Sequence, residues 1–290
     1  MLYEKFEKYW KIWLWIPIIL LILSIGIVAN SIATTGSFMK RDIELTGGKS
    51  ITFEISAVNM DAIKAELPHA TLRLTSGITR SLIVETSFES NESEVIDAVY
   101  RHATVSGSPT SRTVGPSIGN IFFQQAQIAM ILAFVLMAIT IFILYRSVVP
   151  SLIMILSATT DIIITIAVLN LLGITLSLAV IAALLMVIGY SVDTDMVLTS
   201  ELLKVRGTSV SAGIKRAMKT GLTMISTIFV ALLAMYLFSG SLIIEQIALV
   251  LIIATIFDAP ATWMTNAGIL RWWLGRKAKS HSSEGGKKHE

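Results

Sequence analysis

Apolar residues run in six long stretches along the chain, at 12–31, 118–145, 147–171, 175–198, 219–239 and 242–270. Each is of the length that crosses a hydrocarbon layer roughly 30 Å thick, which takes about 20 helical residues. The stretch 12–31 is longer than the apolar core of a signal peptide, and no A-x-A type site follows it, so it reads as a retained membrane helix. Between the first and second stretches the pattern changes. Residues 49–55 alternate and are rich in β-formers, which predicts a strand. Asn59 can start a helix over 60–67 that Pro68 stops. Strands are predicted at 71–74 and 81–86, joined through Gly77. Ser90 is placed to cap a helix over 92–101 with acids in its first turn, and a last strand fits 110–114. The order βαββαβ is the ferredoxin-like one. The expected fold class is therefore a membrane protein, mostly α, with six transmembrane helices and one extracytoplasmic α+β ferredoxin-like domain between helices 1 and 2. The boundaries expected are 1–35 for the N-terminus and first helix, 36–113 for the outer domain and 114–270 for helices 2–6. The basic segment 271–290 is expected to be a disordered cytoplasmic tail.

Composition agrees and excludes several functions. Hydrophobic residues make up 54% of the 290 residues, charged residues 15%, and mean hydropathy is +0.73. A soluble surface needs about 25% charged residues, so this is not an ordinary soluble enzyme. There is no cysteine, which removes disulfides, thiolate metal sites and thiol catalysis. His69, His102, His281 and His289 all lie outside the apolar stretches, which argues against a buried histidine metal site. No metal and no cofactor are expected. The outer segment holds 8 basic and 10 acidic residues, a balance of −2 that does not suit nucleic acid. No P-loop occurs. Lys and Arg flank one set of helix ends (Lys5, Lys8, Lys11, Arg146, Lys204, Arg206, Lys215, Arg216, Lys219, Arg271) and are absent from the short loops near 172–175 and 239–242. The positive-inside rule then puts both termini in the cytoplasm and 36–113 outside, in a multi-pass protein of the cytoplasmic membrane.

Ionisable residues inside the spans are the candidate chemistry, because an Asp at a membrane helix centre costs about 3 kcal/mol on the insertion scale. Asp161 lies near the middle of the third span, Asp258 in the sixth, and Asp193 and Asp195 in the cytoplasmic third of the fourth. Two residues apart on a helix is about 200° around the axis, so Asp193 and Asp195 cannot face one neighbour. Arg216 lies at a similar depth at the start of the fifth span, and an approach to Asp193 or Asp195 is expected. Ser191 and Thr194 can hydrogen-bond across helices. Thr220, Thr223, Ser226 and Thr227 form a polar stripe that should face protein in a membrane. Three readings compete. The acids could hold helices together, they could form a proton path, or two of them could act as the acid/base pair of an intramembrane aspartyl protease.

Several motifs in order resemble the SecF family, the six-helix partner of SecD in protein export. Ile43-Glu-Leu-Thr-Gly-Gly48 resembles I-D-F-x-G-G after the first helix, and Val114-Gly-Pro-Ser-Ile-Gly119 resembles V-G-P-S-x-G before the second. Asp161-Ile-Ile-Ile-Thr165 resembles D-V-x-x-T, Ile188-Gly-Tyr190-Ser191 matches the fourth-helix signature, and Arg216 with Thr220-Gly-Leu-Thr223 resembles R-T-x-x-T-S-L-T. The order spans nearly the whole chain. Where many bacterial members read G-Y-S-x-N-D-T, this chain reads Gly-Tyr-Ser-Val-Asp193-Thr194-Asp195. The family's functional Asp then falls on Thr194, and either Asp193 or Asp195 can inherit its role. The resemblance implies a non-enzymatic accessory subunit of the Sec protein translocase, within the RND superfamily and driven by the proton gradient. The implied partners are a SecD-like subunit, the Sec translocon channel (the SecY complex), the translocating polypeptide and membrane lipids, with no nucleic acid. It implies functional positions at Asp193, Asp195, Arg216, Asp161, Asp258, Tyr190, Ser191, Thr220 and Thr223, and a docking role for the Gly47-Gly48 strand and the outer domain. Half of a small-molecule RND exporter is the remaining alternative, for which the outer segment is small.

Overall fold

The computed structural model describes residues 10–76, 80–204 and 209–286. Lys5, Lys8, the Gly77 connection, Arg206 and Lys287-Lys288 lie outside the described residues. A helical turn at Trp10–Trp13 leads into the first long helix, α1 (Trp15–Thr35), which ends at Gly36 with φ +71°, a left-handed cap that glycine adopts without strain. A one-turn helix, α2 (Ile43–Thr46), follows. Its cap is Asp42, whose side chain accepts the Glu44 amide at 3.3 Å. The Gly47-Gly48 motif thus follows a helical turn and opens the first strand rather than lying within one.

The outer domain runs β1 (Gly48–Val58), α3 (Met60–Glu66), β2 (Thr71–Ser76), β3 (Arg80–Thr86), α4 (Glu92–His102), β4 (Ala103–Val105) and β5 (Thr110–Val114). Every pairing is antiparallel, in the order β2-β3-β1-β4, with β5 also on β1. This is the βαββαβ order with its last strand divided. β4 pairs with the far end of β1 and β5 with its near end, Gly48–Thr52. Between them lie Gly107 at φ +95° and Pro109, which has no amide to give a ladder. Asn59 caps α3, accepting the Ala62 amide at 3.2 Å. The cap of α4 is Asn91, not Ser90. Asn91 accepts the Ser93 amide at 3.2 Å, while the Ser90 hydroxyl meets Ser87 at 2.9 Å. Ile51, Phe53, Ile55, Ile63, Leu82, Val84, Val95 and Val99 make the core between sheet and helices. Leu74, on the edge strand β2, is 40% exposed.

Among the described residues, six helices are long and apolar enough to cross a membrane. After α1 they are α5 (Pro116–Tyr145), α6 (Val148–Leu171), α7 (Leu178–Lys204), α8 (Val210–Phe238) and α9 (Leu242–Pro260). The last continues through a π-helical turn, Ala261–Asn266, into α10 (Ala267–Gly286). Alpha-helical backbone satisfies its own polar groups, as hydrocarbon demands. Helices α6, α7 and α9 are the most buried, while α1, α5 and α8 turn most of their apolar side chains outward. The fifth span begins at Val210, capped by Ser209, earlier than its apolar run suggests. The basic segment from 271 is expected to be disordered, yet the backbone stays helical through Gly286. Extending an existing helix through Arg, Lys and Ala needs no new nucleus.

Two of the sequence motifs meet at the junction of domain and bundle. A side chain on Gly47 would fall 2.5 Å from the Cα of Pro116, and one on Gly119 would fall 2.7 Å from the Gly47 nitrogen. The Gly47-Gly48 turn therefore packs directly on the start of α5.

Candidate functional site

Buried polar side chains, mostly at four-residue spacing, line the inner faces of α6, α7 and the last helix. Helix α6 contributes Ser157, Asp161 and Thr165, α7 contributes Ser191, Thr194 and Asp195, and the last helix contributes Asp258, Thr262 and Asn266. All nine are buried, and Asp161, Asp195 and Asp258 are at most 1% exposed. The π-helical turn follows Pro260, which cannot donate the helical bond expected of its position. Its wider turn keeps Thr262 and Asn266 on the side that carries Asp258 and faces α7.

The bonds are specific. Asp195 Oδ1 accepts Asn266 Nδ2 at 2.6 Å and the Thr262 hydroxyl at 2.9 Å. Asp161 Oδ2 accepts the Ser191 hydroxyl at 2.5 Å. Asp258 Oδ1 lies 3.4 Å from the same Thr262 hydroxyl. One hydroxyl has one proton, so Thr262 serves Asp195 or Asp258 but not both at once. Asp161 and Asp258 face each other closely enough to interact, and the buried Tyr190 hydroxyl lies near Asp258. One oxygen of each carboxyl has no protein hydrogen-bond partner. None of the three has an Arg, Lys or His partner among the described residues. No group of metal-ligating side chains converges among them either.

Of the sequence candidates, the structure brings together Asp161, Asp195, Asp258, Ser191 and Tyr190. It leaves Asp193, Arg216, Thr220 and Thr223 outside the cluster. The Arg216 Nε bonds Glu201 at 2.6 Å and the Arg216 side chain is 51% exposed. The expected approach of Arg216 to Asp193 or Asp195 is thus corrected. Glu201 lies nearer the end of α7 than either aspartate does, and it meets Arg216 near the start of α8. Asp193 points away from the cluster and is exposed, as the 200° rule requires. Thr220, Thr223, Ser226 and Thr227 also face outward, each donating to the carbonyl four residues earlier in its own helix. Gly221 beside them does pack inward: a side chain there would fall 2.2 Å from the Trp263 ring.

A second charged group ties the outer domain to the bundle. Arg73 on β2 bonds Asp42 at 2.6 Å and also bonds Glu85 on β3. Thr175, in the connection between α6 and α7, donates to Asp42 at 3.1 Å. In the same connection Leu176 receives the Asp42 amide at 2.9 Å and donates to the Lys40 carbonyl at 2.7 Å. Glu44 accepts the Leu178 amide at 3.0 Å. Burial lifts the Glu85 carboxyl above its ordinary value, the Asp42 charge lifts it further, and Arg73 offsets part of that. For Arg73, burial works against its charge, but Glu85 and Asp42 outweigh it and hold the guanidinium above its ordinary value. The helices joined at this strap are those that carry Asp161 and Asp195. Asp42, Arg73, Glu85, Thr262 and Asn266 were not among the sequence candidates. Thr262 and Asn266 could have been found by stepping four residues from Asp258. Arg73 and Glu85 sit in ordinary strand alternation and give no such signal.

The profile of the family described as "Protein export membrane protein SecD/SecF, C-terminal" matches residues 96–276. The protein-export membrane protein SecF of Pyrococcus furiosus is 35% identical over 266 residues, covering 90% of each chain. That of Methanolacinia petrolearia is 37% identical over 272 residues, covering 91% of this chain and 94% of the relative. The crystal structure of SecDF, a translocon-associated membrane protein from Thermus thermophilus, superposes with a TM-score of 0.73 at 19% identity. It shares the fold over 93% of this chain, which spans 38% of the length of that SecDF chain. The chain belongs to the SecF family of protein-export membrane proteins.

Proposed function

We propose that this protein assists polypeptide export across the cytoplasmic membrane beside a SecD-like subunit, and that proton binding at the Asp161–Asp195–Asp258 cluster drives it. The observation that carries the reading is three buried carboxyls on three helices without a cationic partner among the described residues. Each ion buried alone costs several kcal/mol, so protons are the available means of balancing this cluster's charge. Movement follows from the bonding pattern. Asn266 and Thr262 both donate to Asp195 Oδ1, and a proton on that carboxyl competes with this bonding. Helices α6 and α7 then transmit a shift to the Asp42–Arg73–Glu85 strap and so to the outer domain. A charge crossing the full potential carries about 2.3 kcal/mol per 100 mV, enough to bias a two-state joint. The protease reading is disfavoured because Asp161 and Asp258 are buried, at 0% and 1% exposure, where a peptide bond would have to displace packed helices to reach them. The same reading takes the chain as a multi-pass protein with both termini cytoplasmic, and the translocon channel and the moving polypeptide as further partners.

The test is export of a reporter in cells that rely on this chain. Asp195→Asn is expected to lower the exported fraction at least tenfold at a normal level of inserted chain. Dissipating the proton gradient should reduce wild-type export to that level and leave the variant unchanged. Wild-type export that is indifferent to the gradient would remove proton coupling.

A further inference from the structure

A hydroxyl inside a membrane helix has a default partner, the carbonyl four residues earlier in its own helix. Thr140, Thr159, Thr160, Thr223, Thr227 and Thr255 all donate there, at 2.7–2.9 Å. Thr262 does not. Its hydroxyl lies 2.9 Å from Asp195 Oδ1 and 3.4 Å from Asp258 Oδ1, and the residue is 0% exposed. Thr262 is the second residue of the π-helical turn, where the amide of Ala267 bonds the Thr262 carbonyl across five residues. The wider turn carries the hydroxyl off its own backbone and toward α7. Ser191 also departs from the default, but it reaches one carboxyl, Asp161 Oδ2. Thr262 reaches carboxyls on two helices.

These carboxyls lie at different depths. Asp161 is 10 residues from the Leu171 end of α6, about 15 Å, on the side of the strap. Asp195 is 9 residues from the Lys204 end of α7, about 14 Å. Asp258 faces Asp161, so that pair stands toward the outer domain and Asp195 toward the basic helix ends. A proton passing from one half of the bundle to the other crosses from Asp258 to Asp195, and Thr262 stands at that crossing. Asn266 cannot take its place, because a side-chain amide nitrogen donates to Asp195 and accepts nothing.

We infer that Thr262 relays protons between Asp258 and Asp195. The inference rests on the reading of the cluster as the proton-binding site, and names the step inside it. Protonated Asp258 gives its proton to Thr262 Oγ1 as the proton already on Thr262 passes to the Asp195 carboxylate. At the hydroxyl one O–H bond forms and one breaks, so Thr262 stays neutral. Asp258 ends as the carboxylate and Asp195 as the acid. Rotation about the Thr262 C–O bond then restores the starting direction once Asp195 has lost its proton. The unequal distances fit this order: the hydroxyl donates to Asp195, and the longer approach to Asp258 closes when Asp258 carries a proton to give.

Infrared difference spectroscopy of the full chain in liposomes tests the relay. The protonated-carboxyl band that Asp195→Asn removes belongs to Asp195, and its growth is timed after a jump from about pH 8 to about pH 5. Thr262→Val keeps the side-chain shape without the hydroxyl, and should slow that growth about 100-fold, the scale of a lost, positioned proton carrier. Thr262→Ser keeps the hydroxyl and loses the methyl, so it should stay within about threefold of wild type. Thr140→Val, on the outer face of α5, should leave the rate unchanged. The Ser variant separates relay from packing, because a purely structural Thr262 would suffer from loss of the methyl as well. Growth as fast in Thr262→Val as in wild type, or as slow in Thr262→Ser as in Thr262→Val, would overturn the relay. A wild-type chain in which no buried carboxyl titrates between about pH 4 and 9 would instead overturn the proton-binding reading, and the relay with it.

Discussion

Asp195 is the most heavily bonded of the buried carboxyls, and its bonds come from the helix that also carries Asp258. Asn266 gives it the shorter contact, 2.6 Å, and Thr262 the other. Replacing Asn266 by Leu removes the shorter of the two bonds to Asp195 Oδ1 and leaves that oxygen Thr262 alone. Hydrogen bonds between membrane helices are worth about 1 kcal/mol, and a weakened site for a buried acid adds to the cost, so Asn266→Leu should lower unfolding free energy by about 1–2 kcal/mol. Asp195→Leu with Asn266→Leu should cost less than the sum of the two single changes, by about 1 kcal/mol, in mixed-micelle unfolding. Strict additivity would mean that the pair does not form. The three buried aspartates were legible in the sequence because a charge in an apolar run has few acceptable explanations. Their partners were less so. Depth alone suggested Arg216 for Asp193 or Asp195, but depth leaves the angle around each helix open, and Glu201 took the arginine. The same angular argument, applied two residues apart, did separate Asp193 from Asp195.

Among the elements, the strap between the outer sheet and the α6–α7 connection has the clearest pH dependence. The Glu85 carboxyl is raised above its ordinary value, so the folded domain holds that proton more tightly than the unfolded chain does. The stability this gives is full below the ordinary carboxylate value and is lost as pH rises through the raised folded one. Glu85→Gln keeps an acceptor for Arg73 and removes the charge. Its melting point, relative to wild type, should climb by a few degrees between about pH 4 and 8, followed by circular dichroism. A gap that widens toward acid would contradict the assignment. The elements of this domain were mostly readable from alternation and caps. Asn59 and the β1 core residues Ile51, Phe53 and Ile55 fell where the pattern put them. Two features were not readable for local reasons: alternation does not say which strand is the edge, where Leu74 is 40% exposed, and Asn91 competes with Ser90 for one cap. The strap itself joins Asp42 to Arg73, Thr175 and Leu176, and contacts that distant in sequence leave no local trace.

For the whole molecule, the six apolar stretches gave the spans, and motif order gave the family. Where the apolar runs end says less. The fifth helix starts at Val210 and the sixth runs to Gly286, because polar residues beyond the hydrocarbon extend a helix without lengthening its apolar part. Orientation rests on charge. Arg146, Lys204, Lys215, Arg216, Lys219 and Arg271 lie at one set of helix ends, and the strap and sheet domain lie at the other. Positive residues resist translocation, so the sheet domain is expected outside and the basic ends inside. The absence of cysteine makes this directly measurable. Glu89, exposed before α4, and Gly275, exposed on α10 with open space around its Cα, are suitable single positions. In intact cells a membrane-impermeant maleimide should label Glu89→Cys fully and leave Gly275→Cys unlabelled until the membrane is opened. The reverse pattern would invert the topology. It would also place the carboxyl cluster's strap on the cytoplasmic side, where no outer domain could receive its movement.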